Sequence, residues 1–202
     1  MSGHIGGWLR NSEDFEYLDA LPNESVVLAM RGTYNEVKVD PRAVMQIENQ
    51  GSVGSCQGQD LSSCVELCYY IATGDLTRQL SRAYAYYETQ RIDGISGDRG
   101  STISGGIKLA TTRGIPEESL WKYTGRYENR RPSNWSEVEA NAAQHKIGQS
   151  YKMSTYDGVR TFLGSGQGGI SIGISWGGEV DRPVVNSFSG AGGGGHAIAL
   201  LG

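Results

Sequence analysis

The sequence predicts an α+β fold, with helices gathered in the first half of the chain and strands in the second, and three observations carry this. Between Cys56 and Gly114, three segments place apolar residues at helical spacing. Beyond residue 165, GGISIGISW alternates Ile170, Ile172, Ile174 and Trp176 with small or polar residues, and AIALL is a second short strand-like run. Between these regions, IPEESLWKYTGRYENRRPSNW is polar and punctuated, which marks a boundary near 125–135. Helices followed by strands, rather than alternating with them, indicate α+β and not α/β architecture. The chain thus divides into an extended segment over 1–45, a helical unit over 46–130 and a β-rich unit over 131–202.

The N-terminal segment is irregular, with Pro22, Pro41 and scattered charges, and only VVLAM at 26–30 reads as a strand. The first helix runs from Cys56 to about Thr73, carries Leu61, Val65, Leu67, Cys68 and Ile71, and stops before Gly74. LSRAYAYYETQRID makes the second, with Ser81 as N-cap and Ala83, Tyr84, Tyr86, Tyr87 and Ile92 along it. STISGGIKLATTR makes the third and closes at Gly114. SEVEANAAQHK is a further helix, in which Ser136 and Glu139 match a capping box. A strand at IGQSYKM and a short helix at YDGVRTFLGSG complete the set, and no internal repeat is evident.

Composition narrows the function. With 18 basic and 22 acidic residues the net charge is −4, too weak and of the wrong sign to gather nucleic acid or an anionic membrane. No apolar run approaches the roughly 18 residues of a membrane span. MSGHIGGWLRNSEDFEY lacks the basic start and apolar stretch of a signal peptide, which favours a cytoplasmic or virus-associated location. The three cysteines, Cys56, Cys64 and Cys68, are too few and clustered for a disulfide framework. Cys64 and Cys68, one helical turn apart, read as small buried hydrophobes. No histidine or further cysteine stands near them, so neither a metal nor another cofactor is expected.

The run NQGSVGSCQGQDLSSC carries the candidate chemistry, together with GGGGHAIALLG near the end of the chain. Cys56 falls where a helix begins, and the unpaired N–H groups and dipole there favour a thiolate. Gln50, at the start of the same glycine-rich run, offers a side-chain amide to an oxygen that gains charge during acyl transfer. His196 heads a short apolar strand and is the candidate base and acid. His4, near the chain start, and His145, closing a polar helix, are less suited. Asp60 and Gln59 read as a solvated or buried polar face of the first helix.

With these residues in view, the chain resembles the papain-like (C1) cysteine peptidases, and more closely their bacterial and viral members without secretory disulfides. VGSCQ is similar to the signature around the family's nucleophile and keeps Gly54, Ser55 and Cys56. GWLRNSEDFEY, VDPR, GDRGSTISGGIKLATTRGIPEESLWKY and GHAIALLG resemble further family blocks in the same order. The resemblance implies a two-lobed fold, a helical lobe plus an antiparallel β lobe, with the cleft between them. It implies Cys56 as nucleophile, His196 as base and acid, and Gln50 with the Cys56 backbone N–H as oxyanion hole. Gly54 and Ser55 would border the scissile bond, the backbone at Gly100 and Ser101 would pair with an extended peptide, and Gly195 would flank the histidine side. The partner is then a peptide or protein substrate in extended conformation, bound by a monomer.

The chain also departs from the family pattern. Val53 stands where a cysteine often staples this loop, and Gln57 where an aromatic residue follows the nucleophile. The family continues past the histidine to an Asn that orients the imidazole, whereas this sequence stops at Gly202, so the β lobe reads as incomplete. Three activities remain open at this level: peptide hydrolysis through a thioester, the same acyl-enzyme passed to an amine by a transamidase or amidase, and peptide binding without catalysis.

Overall fold

The computed structural model describes residues 45–75, 77–175 and 194–201. They form five helices and a two-stranded sheet in the order α1 (Cys56–Thr73), α2 (Arg82–Asp93), α3 (Ile103–Thr112), α4 (Trp135–Ala142), α5 (Tyr156–Gly164), β1 (Ile170–Ser175) and β2 (Gly195–Leu200). The fold is α+β, as the segregation of helices and strands predicts. The expected strand at 26–30 lies outside the described residues.

The helices start and stop for local reasons. Ser81 Oγ accepts the N–H of Tyr84 at 3.1 Å and caps α2 as expected. Thr102 does the same for α3 through Gly105 N–H at 2.9 Å, and Thr155 for α5 through Gly158 N–H at 3.1 Å. Gly74, at φ 74°, ends α1 in the left-handed region, where its N–H returns to Tyr70 O. Around these helices Leu61, Leu80, Tyr84, Leu109, Ile115 and Val138 make the core. Trp121 meets Tyr84 edge-on and Trp135 stacks on it. A Cβ at Gly58 would stand 2.9 Å from Tyr86 Cβ, so glycine is what lets α1 approach α2 this closely.

Two local expectations fail. The capping box at Ser136 and Glu139 does not form, because α4 starts earlier, after Asn134, and ends at Ala142. Ser136 is already inside the helix, and Glu139 instead accepts from Arg113 Nη2 at 2.6 Å. IGQSYKM forms no strand among the described residues: Gly148 to Tyr151 are exposed, leaving no buried face to fix a register. The Ile147 N–H bonds to Ala110 O of α3 at 3.2 Å instead.

β1 and β2 pair antiparallel, with Ile174 opposite His196, Ile172 opposite Ile198 and Ile170 opposite Leu200. Both strands and helices α2 and α3 pack against α1, which therefore joins the helical part of the chain to the sheet. Among the described residues no helix is long and apolar enough to cross a membrane.

Candidate active site

Cys56 is the first residue of α1, and its side chain is buried at 2 % exposure. Its N-cap, Ser55, makes no side-chain capping bond, and the first turn holds no acidic residue, so the dipole at this end faces the sulfur undiminished. The decisive contact comes from the far end of the chain: the Ala197 N–H donates to Cys56 Sγ at 3.4 Å. Ala197 directly follows His196 on β2, so strand pairing and helix packing bring the β2 backbone next to His196 onto Cys56. Burial lowers His196 below its usual value of 6.5, which keeps its imidazole neutral and able to accept a proton near pH 7.

Gln50 sits half-buried on the loop leading into α1. Its Nε2 donates to Val53 O at 3.2 Å, across a turn that Gly51 permits at φ 62°. A primary amide has two N–H donors, and this bond uses one of them. Tyr123 fixes the loop from behind: its hydroxyl donates to Gln50 O at 2.7 Å and lies 2.7 Å from Ser55 Oγ. Upstream, Glu48 forms an ion pair with Arg82, whose Nη2 also donates to Glu118 at 2.8 Å. Sequence reasoning does not single out Tyr123, because its partner Gln50 lies 73 residues away and the two meet only in the fold.

Of the remaining candidates, Gly54, Ser55, Gly100 and Ser101 are buried and Gly195 is half-buried. Gly54 and Gly100 approach one another, since a Cβ on Gly54 would lie 3.4 Å from Gly100 N. Gly195 begins β2 opposite Ser175, at the histidine end of that strand. Ser55 and Ser101 are both buried at 0 % exposure with side chains turned inward. Ser101 Oγ donates to Gln57 Oε1 at 2.9 Å. Gln57 is itself buried at 1 % exposure and occupies the space that a Cβ at Gly106 would need. The residue after Cys56 is thus a packed polar strut between α1 and the start of α3.

Asp60, one turn beyond Cys56, faces the sheet. Its carboxylate accepts from Ser171 Oγ of β1, and from Cys64 Sγ at 3.7 Å. Burial pushes Asp60 up to about 7, against the lowering effect of those two bonds. Burial also raises Cys64 well above its ordinary value, and no disulfide forms among the three cysteines. A carboxyl held above its unfolded value of 3.8 favours the fold while protonated and opposes it as pH rises toward 7. Asp60→Asn is therefore expected to stabilise the protein at pH 8 by several kcal/mol relative to its effect at pH 4, because each tenfold change in a protonation equilibrium is worth roughly 1.4 kcal/mol. Urea unfolding at both pH values checks this, and an equal effect at both would contradict it.

Helices on one side and an antiparallel sheet on the other, joined through a helix that begins at a buried cysteine, make up the papain-like cysteine protease fold. Solved structures bear this out. Xylellain, a cysteine protease from Xylella fastidiosa, superposes with a TM-score of 0.72 at 21% identity over 98% of this chain and 80% of its own. The Carica candamarcensis cysteine protease CMS1MS2, solved in complex with E-64, matches with a TM-score of 0.58 at 19% identity over 80% of this chain and 73% of its own. The recombinant stem bromelain precursor matches with a TM-score of 0.60 at 14% identity, over 99% of this chain but only 59% of that one. No family model and no curated protein matches the sequence.

Proposed function

We propose that this protein is a cysteine-type peptidase, akin to the bacterial and viral papain-like enzymes, that hydrolyses peptide bonds in extended substrates through a thioester acyl-enzyme. The observation that carries this reading is the 3.4 Å contact from Ala197 N–H to Cys56 Sγ, which places the strand bearing His196 on a thiol at a helix N-terminus. In this reading the helical unit over 46–130 and the β-rich unit over 131–202 are the two walls of the substrate cleft.

The chemistry follows from those placements. His196 takes the thiol proton as Cys56 Sγ attacks the carbonyl carbon. The Cys56 backbone N–H and the second N–H of the Gln50 amide receive the oxyanion. The C–N bond breaks as His196 passes its proton to the leaving amine, and a thioester remains. Water, deprotonated by His196, then cleaves the thioester, and the proton returns to the thiolate.

Incubation with a mixture of unmodified peptides, read by mass spectrometry, tests this. Cleaved products bearing free carboxylates are expected from the wild type and none from Cys56→Ala. With an amine acceptor added, dominant amide products would point to a transamidase. Peptides bound but uncut would point to a binding protein of the same fold.

A further inference from the structure

Two loops meet beside Cys56, and Asp98 stands where they meet. The first covers residues 50–55 and leads into α1; the second covers 97–101 and leads into α3. Asp98 Oδ1 accepts the Gly54 N–H at 2.9 Å, a bond spanning 44 residues. The same oxygen accepts the Tyr86 hydroxyl at 2.8 Å, and that hydroxyl accepts the Gly100 N–H at 3.1 Å. Gln90, one turn further along α2, extends the bracing: its Nε2 donates to Tyr86 Oη at 3.0 Å and to the carbonyls of Gly97 and Gly100 at 2.9 Å each.

The brace is built into the interior. Tyr86 and Gln90 are buried at 3 % and 2 % exposure, and Tyr127 closes the far side by donating to Gln90 Oε1 at 3.2 Å. A Cβ on Gly54 would come within 3.1 Å of Asp98 Oδ1, so the glycine leaves room for the bond. Gly97 and Gly100, at φ 77° and 84°, give the second loop the left-handed turns that present its carbonyls to Gln90. No disulfide links the two loops, and the connection is made of hydrogen bonds. Asp98 is half-buried, and bonds to its carboxylate are stronger than neutral ones.

We propose that Asp98 is a positioning residue: through Tyr86 and Gln90 it holds the loop before the nucleophile in register with the 97–101 loop, beside which an extended peptide would lie. This rests on the peptidase reading, which supplies the substrate. Asp98 touches no reacting atom. It sets the spacing between the Cys56 sulfur and the 97–101 loop, in which Gly100 is itself held inward through its N–H and carbonyl. Small misplacements of the wall beside an extended peptide cost rate without altering the nucleophile itself.

The test compares two alkylating probes on the full chain. Iodoacetamide is too small to span the two loops and reports the reactivity of Cys56, whereas a peptidyl epoxide must also lie beside the 97–101 loop. In Asp98→Ala the epoxide rate is expected to fall by about 10- to 100-fold, while the iodoacetamide rate stays within about threefold. Asp98→Asn keeps a carbonyl oxygen for Gly54 N–H and Tyr86 Oη, and should restore most of the epoxide rate. Tyr86→Phe removes one hydroxyl from a buried ring, and should lower the epoxide rate selectively even if Asp98→Ala does not fold. Equal losses with both probes, or an unchanged epoxide rate in Tyr86→Phe, would overturn the proposal. Failure of the peptidase reading looks different: wild-type Cys56 would then react no faster than Cys64 or Cys68. In that case hydrogen exchange at Gly54 and Gly100 still decides the structural claim, since both amides should exchange faster in Asp98→Ala and not in Asp98→Asn.

Discussion

His196→Ala is expected to lower peptide hydrolysis by about 10²- to 10⁴-fold, the range over which a positioned acid–base group accelerates proton transfer. The loss should appear in kcat, because in the proposed mechanism His196 moves protons during bond making and breaking and adds little to substrate affinity. Its environment also fixes the sign of the pH dependence. Burial lowers its pKa from 6.5, so the neutral imidazole persists to more acidic pH than that of an exposed histidine. The acid limb that reports His196 in the wild-type profile should therefore lie below 6.5. In His196→Ala that limb should disappear, and a limb unchanged by the substitution would assign it to another group.

Gln50→Ala is expected to reduce kcat by about 10²- to 10³-fold with KM nearly constant, the usual effect of deleting one oxyanion donor. The side chain already gives one amide hydrogen to Val53 O, at 3.2 Å, and the backbone carbonyl of Gln50 is held by Tyr123. The Gln50 amide is thus restrained without substrate, and in an oxyanion donor restraint of this kind avoids reorganisation in the transition state. Gln50→Glu separates donation from packing. It preserves size but places a negative charge where an oxyanion would form, so it should be no better than alanine. Steady-state kinetics on a single peptide reads both variants, and wild-type kcat in either would remove Gln50 from the oxyanion hole.

The helical part of this fold was legible because its signals are local. Cys56 to Thr73 reads as a helix from its apolar spacing and Gly74, and Ser81 announces α2 by its place before it. Signals of the same kind misled where a neighbour outcompeted them. Glu139 has the spacing of a capping residue, but Arg113 lies within reach of its carboxylate. The alternation in IGQSYKM suits a strand, yet its exposed middle gives no face to bury.

The candidate site shows a similar division. Cys56, Gln50 and His196 stand out in sequence because each needs a recognisable setting: a helix start, a glycine-rich lead-in and a strand. The groups supporting them do not. Asp98, Tyr86 and Gln90 come from a loop and a helix face, and they become a set only when α2 packs against α1. Gln57 and Ser101 are likewise far apart in sequence and meet only in the packed interior. Asp60 reads as a polar helix position, and only β1 shows that it faces a buried serine.

The central claim is that Cys56 differs in kind from the other two cysteines, which sit on the same helix at the same redox state. Treatment with a peptidyl epoxide followed by peptide mapping tests it most directly. Rapid modification of Cys56 is expected, with Cys64 and Cys68 unmodified and the rate on Cys56 slowed in His196→Ala. Labelling spread evenly over the three cysteines, or labelling of Cys56 indifferent to His196, would contradict it.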